Sequence, residues 1–294
     1  MFKWNRILVV LIGVPLLLFI YVGESFFRIN LYGLPMLIFT NLVIGIGIYE
    51  FYKMVKILGK EVYDKFGLIV GLIIPNLVYL SNRSSYLEQK LITVVLIVAT
   101  IIMLTYRVFK NQIKGTLEKV SLTLLGVIYV SVFFSQIINL YFLGTMFPLT
   151  LQVLVWVSDT SAGIVGVTIG RKFFKNGFTE ISPKKSVEGA LGSIIFTALA
   201  LVLIVIMYVE KINGVTVGEI FLSFIMGAII SIIAQIGDLI ESLFKRECGV
   251  KDSGTILMGH GGVLDRFDSM ILVLPFVTMV LYFFHLYVSY QYGI

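Results

Sequence analysis

Between Gly237 and Asp268 an otherwise hydrocarbon-rich chain carries a dense run of acids and bases. Lipid and apolar core penalise each charged group, so such a density needs a purpose. Carboxylates can hold a metal ion and lysines and arginines can hold phosphate, so the mixture points to phosphate chemistry at a membrane. Asp238, Glu241, Ser242 and Lys245 recur at i, i+3, i+4 and i+7, which places them on one helix face. Asp238 falls about two turns inside the end of its apolar run, where a lone carboxylate costs about 2.5–3.5 kcal/mol on insertion scales. A metal ion, a cationic side chain or a wet cavity would offset that cost. An interhelical salt bridge to Arg171 or Lys245 would serve as well.

The stretch Gly259-His260-Gly261-Gly262-Val263-Leu264-Asp265-Arg266-Phe267-Asp268 is the second constellation. Its glycines let backbone approach an anion and turn N–H groups toward it. If the last helix begins near Leu264, Asp265 and Asp268 share a face, and the helix start favours phosphate. Asp238 and Asp265 could then jointly hold Mg²⁺, which takes one or two carboxylates and completes its shell with water and substrate phosphate. A charged turn before a capped helix is the plainer alternative.

Two further elements lie upstream. Ser182-Pro183-Lys184-Lys185-Ser186 is a basic loop whose lysines either enforce membrane topology or meet a phosphate as point charges. Asp159 sits within an apolar run, where a metal ligand, a base and a helix-pairing residue are equally open readings. His285 lies in the apolar final run and reads as an interhelical hydrogen-bonding side chain. No Walker loop, zinc-ligand spacing or Gly-x-Ser-x-Gly occurs in the chain.

The elements that must position these groups are apolar helices. Hydrophobic residues make up 58% of the chain and charged residues 14%, against about 25% charged in a soluble domain. The mean hydropathy is +0.99. The spacing predicts an all-α polytopic bundle of about nine spans, near 6–23, 31–49, 66–82, 91–106, 120–143, 146–170, 189–209, 216–244 and 270–290, most approaching the ~20 residues that cross a bilayer. The first run lacks a small-x-small cleavage site and reads as a retained helix. Residues 1–118 read as scaffold with few buried polar groups. Residues 119–294 read as the catalytic region. Asn41 and Asn76 are the exceptions in the scaffold, each within reach of an interhelical hydrogen bond. The single Cys248 excludes an internal disulfide and reads as an inert thiol.

The net charge of +6 does not call for nucleic acid. Of 23 Lys and Arg, 19 fall on one side when the nine runs alternate across the membrane. The positive-inside rule then puts the N-terminus and the acidic-basic segment in the cytoplasm, and the C-terminus outside.

These residues resemble the phosphatidate cytidylyltransferase family, the CDP-diglyceride synthetases. The family's C-terminal signature stands here as Ser242, Lys245-Arg246, Lys251-Asp252, Gly254, Gly259-His260-Gly261-Gly262, Asp265-Arg266 and Asp268. Gly237-Asp238-Leu239, Asp159-Thr160 and Ser182 to Gly189 support it. The resemblance is strong from about residue 120 to 270 and is mostly hydropathy before that. Met258 stands where the family commonly has proline, and Ser186-Val187 where Thr-Trp is common. The resemblance implies an integral protein of the bacterial cytoplasmic membrane that joins CTP and phosphatidate into CDP-diacylglycerol and pyrophosphate. It also implies a homodimer and Mg²⁺, with room for a second metal. Asp238 and Asp265 would hold the metal, with Asp159 a third candidate. Asp238, Asp265, Lys245 and Asp268 would be catalytic. Ser182, Lys184, Lys185, Arg246, Lys251, Asp252, His260, Gly261, Gly262 and Arg266 would meet the substrates. A CTP-dependent polyprenol kinase and an ion-coupled transporter are the competing readings.

Overall fold

The computed structural model describes residues 2–83, 90–175, 177–209, 214–256 and 261–292. Its helices are α1 (Phe2–Phe27), α2 (Leu34–Ile57), α3 (Asp64–Arg83), α4 (Lys90–Phe109), α5 (Thr116–Gly126), α6 (Gln136–Leu143), α7 (Met146–Thr168), α8 (Val187–Val209), α9 (Val217–Glu247) and α10 (Leu264–Tyr292). A π-helical segment, Val127–Val132, follows α5, and the run Thr116–Leu143 makes one span. Among the described residues eight spans are long and apolar enough to cross a membrane, and α1 adds the shorter apolar stretch Leu11–Phe27. No strand occurs among them beyond one isolated bridge, Gly177 to Ser186. The all-α, nine-span expectation therefore holds. The last helix begins at Leu264, the start at which Asp265 and Asp268 share a face, so its first turns carry the charges ahead of the apolar run from 270; α2 runs on to Ile57, beyond the expected 49.

Two compact units emerge, Met1–Leu149 with Phe244–Phe267, and Thr150–Leu243 with Asp268–Ile294. In the first, α3 docks closely on α2. A Cβ at Gly67 would fall 2.1 Å from the Tyr52 hydroxyl, and one at Gly71 would fall 2.2 Å from Ile48 Cδ1. Pro75 has no N–H to give the Gly71 carbonyl one turn back, and the Ser131 hydroxyl of the π-helical segment donates to it at 2.5 Å. Asn76 donates to Asn41 at 3.1 Å, so the interhelical bond expected of each is met by the other. Edge-to-face rings fill the interior: Phe244 stands 5.7 Å from Phe51 and 5.2 Å from Tyr129, and Phe267 stands 5.3 Å from Phe134.

In the second unit small residues again set the spacing. A Cβ on Gly192 would strike Val165 at 2.6 Å, one on Gly227 would strike the Ala198 Cα at 2.7 Å, and one on Gly237 would meet the Asp268 carbonyl at 2.8 Å. Ser158, Ser193 and Ser231, one hydroxyl from each of α7, α8 and α9, form a buried triangle with sides of 2.7, 3.0 and 2.8 Å. Gln235 reaches the same group at 3.3 Å from Ser231. Each hydroxyl thus finds a partner inside the apolar bundle.

Candidate active site

The loop between α7 and α8 folds around Glu188. Its carboxylate accepts the Arg171 N–H at 3.0 Å and the Phe173 and Phe174 N–H groups at 2.9 Å each. Arg171, with φ of 64°, donates its guanidinium to the Pro183 carbonyl at 2.6 Å. Arg171 is thereby fastened to its own loop and is not the partner of Asp238 that one sequence reading allowed. The Ser186 hydroxyl accepts the Gly189 N–H at 3.1 Å and caps the start of α8.

So braced, the loop delivers Lys185 to Asp238, whose carboxylate accepts from the lysine ammonium. The Ser242 hydroxyl donates to the other carboxylate oxygen at 3.3 Å, which puts Asp238 and Ser242 on one face of α9, while Glu241 is buried and Lys245 bonds Asp265. The pair is accessible, with side chains 33% and 29% exposed, and borders a cavity of about 340 Å³. Lys184 and Asp159 line the same cavity, with Gly163 and Gly166 forming an open wall. Ser182 lies nearby in the loop, its N–H donating to the Thr179 hydroxyl at 3.2 Å. Asp159, Ser182, Lys184, Lys185 and Asp238 therefore cluster within this unit, although Ser182 does not line the cavity.

The other unit holds the second carboxylate. Lys245 Nζ donates to Asp265 Oδ1 at 2.7 Å. Oδ2 accepts the Ser253 N–H at 2.9 Å, the Ser253 hydroxyl at 2.9 Å and the Gly262 N–H at 2.7 Å. This pair is almost closed from solvent, at 12% and 6% exposure. Lys245 was the other partner considered for Asp238; the structure gives Asp238 Lys185 and Lys245 Asp265. Arg246, Lys251, Asp252 and Arg266 are exposed. Asp268 accepts the N–H of Ser269 at 2.6 Å. His260, with Leu257, Met258 and Gly259, lies outside the described residues.

The glycine run does bring N–H groups to an anion, as its composition suggested, but the anions are the protein's own. Gly262 N–H serves Asp265, and the Val263 and Leu264 N–H groups serve Glu50 at 3.1 and 3.0 Å. These amides at the start of α10 are thus engaged by carboxylates rather than held open for a phosphate. Gly261, with φ of 82°, takes a left-handed turn, and a Cβ there would meet Asp265 Oδ2 at 2.5 Å. Glu50 was missed: it stands in α2, within residues read as scaffold. Glu50 falls one residue past the apolar run read at 31–49 and so passes for a helix-end charge; only the extension of α2 to Ile57 buries it.

The Lys185–Asp238 pair, at the edge of a cavity that Lys184 also lines, sets ammonium groups where an anionic phosphate can enter. The cytidylyltransferase family model matches residues 4–284, and the chain belongs to that family. A phosphatidate cytidylyltransferase of Bacillus subtilis is 34% identical over 252 residues, covering 84% of this chain and 89% of the relative. One from Staphylococcus aureus is 35% identical over 253 residues, covering 85% and 90%. One from Staphylococcus haemolyticus is 37% identical over 186 residues, covering 63% and 68%.

Proposed function

We propose that the chain converts CTP and phosphatidate to CDP-diacylglycerol and pyrophosphate within a bacterial cytoplasmic membrane, as a homodimer with its site facing the cytoplasm. Beside family membership, one observation carries this reading: Lys184, Lys185, Asp159 and Asp238 meet at one accessible cavity inside a membrane-spanning helical unit. The orientation follows from the 19 of 23 basic residues assigned to one side.

A phosphate oxygen of phosphatidate attacks the α-phosphorus of CTP. The new P–O bond forms as the bond to the bridging oxygen breaks, and pyrophosphate leaves with that electron pair. A phosphate monoester is largely ionised near neutral pH, so no strong general base is required. The chain's task is to position two anions that repel each other. Lys184 and Lys185 place ammonium groups at the cavity, and Arg246, Lys251 and Arg266 offer exposed cations for the remaining phosphates. Acyl chains stay in lipid while the headgroup enters.

Asp238 and Asp265 are the carboxylates we assign to Mg²⁺, with Asp159 a third candidate if a second ion is bound. The donor chemistry fits, since carboxylate oxygens suit Mg²⁺. Asp265 Oδ1 accepts from Lys245 at 2.7 Å, and Asp238 is partly exposed. When bound, the metal neutralises charge on the attacking and leaving oxygens.

Pyrophosphate release from CTP by purified protein in detergent tests the reading. Release that requires phosphatidate, stops with EDTA and is weak with ATP or GTP is the expected result. No release with any nucleotide from well-folded protein would overturn it.

A further inference from the structure

We propose that Glu50 of α2 is a positioning residue for Asp265, holding the backbone that aims this carboxylate. The inference rests on Asp265 being a functional carboxylate. Glu50 is 1% exposed and lies outside the signature. One of its oxygens accepts the Val263 N–H at 3.1 Å; the other accepts the Leu264 N–H at 3.0 Å and lies 3.3 Å from the Ser253 hydroxyl, whose single proton is shared with the nearer Asp265 Oδ2. Val263 and Leu264 immediately precede Asp265, and Ser253 also serves Asp265 at 2.9 Å through both its N–H and its hydroxyl. A single side chain from another helix thus holds the backbone just before Asp265 and sits against the second segment, at Ser253.

The glycines beside it record how closely it sits. A Cβ at Gly254 would fall 2.2 Å from Glu50 Oε1, and one at Gly262 would fall 2.5 Å from both of its oxygens. Gly254 therefore leaves room for the Glu50 carboxylate. Both oxygens are acceptors facing N–H donors. Replacing either by an amide NH₂ sets donor against donor without changing volume. Reacting groups misplaced by about 1 Å lose about 100-fold in rate, so a slack loop is expected to show in turnover.

The test compares Glu50→Gln, Glu50→Ala, Gly254→Ala and the Glu50→Ala/Gly254→Ala pair with Asp265→Asn, measuring CTP- and phosphatidate-dependent pyrophosphate release. We expect Glu50→Gln to lower kcat by about tenfold or more while KM for CTP stays within about threefold. Gly254→Ala is expected to be as damaging alone and to add nothing in the Glu50→Ala background, where its Cβ finds space. Wild-type kcat in Glu50→Gln would overturn the proposal, as would a Gly254→Ala loss of equal size in both backgrounds. Because Glu50→Gln keeps the volume of the side chain, the test does not depend on the alanine variant folding. Substantial turnover by Asp265→Asn would instead sink the assignment of Asp265, whatever the Glu50 variants do.

Discussion

Asp238 and Asp265 solve the same problem in opposite ways. Asp238 keeps one lysine and one serine, leaves over a quarter of its side chain exposed, and borders a cavity. Asp265 keeps one lysine and three further donors and is almost sealed. A partly wet ion pair is screened and worth about 0–1 kcal/mol, whereas breaking a buried one costs about 3–5 kcal/mol because it strands a charge. The contrast separates two surroundings that the sequence presents as one: Asp238 faces a cavity with a single ammonium and a hydroxyl, while Asp265 is enclosed by donors on both oxygens.

The comparison breaks most directly on the two asparagine variants. Both Asp238→Asn and Asp265→Asn should cut turnover by roughly 10²–10³-fold, the scale of losing one group aimed at developing charge. Only Asp265→Asn should also lower stability heavily, by about 3–5 kcal/mol against about 1 or less for Asp238→Asn. Equal unfolding midpoints in detergent would erase the distinction. The lysines sharpen it. Lys245→Met should destabilise by about 3 kcal/mol, while Lys185→Met should leave stability within about 1 kcal/mol and raise KM for CTP. Away from both carboxylates, Ser231→Ala should cost about 1 kcal/mol with turnover within a few-fold. Smallest of all, Cys248→Ala should leave turnover within about twofold. Burial and then the neighbouring Glu247 push the Cys248 thiol up, so thiolate forms only above the ordinary thiol range. Maleimide labelling near pH 8 should accordingly be slower than for a free cysteine and should speed up as pH rises. Labelling at the free-cysteine rate would contradict the buried placement.

Much of this was legible because charge inside hydrocarbon is costly. Asp238, Asp265 and Lys245 stand out for that reason alone, and nine apolar runs define the helices. Pairing was not legible: Lys185 lies 53 residues from Asp238, and only the loop folded around Glu188 brings them together. Glu50 shows the other blind spot. It falls just past the apolar run read at 31–49, and its partners lie more than 200 residues away. The start of α10 at Leu264 was within reach of the Asp265–Asp268 spacing, although the apolar run alone begins only at 270. The glycines signalled close approach to an anion, but nothing in their spacing said that the anion was the protein itself.

The serine triangle bears on how the chain enters its membrane. Ser158, Ser193 and Ser231 sit on three separate helices, so each helix can partition into lipid carrying one small hydroxyl at that level, a modest burden. The rewarding bonds exist only after α7, α8 and α9 have met. The triangle adds only a hydroxyl to the polar load that α7 and α9 already carry in Asp159, Gln235 and Asp238, and its bonds reward only correct assembly.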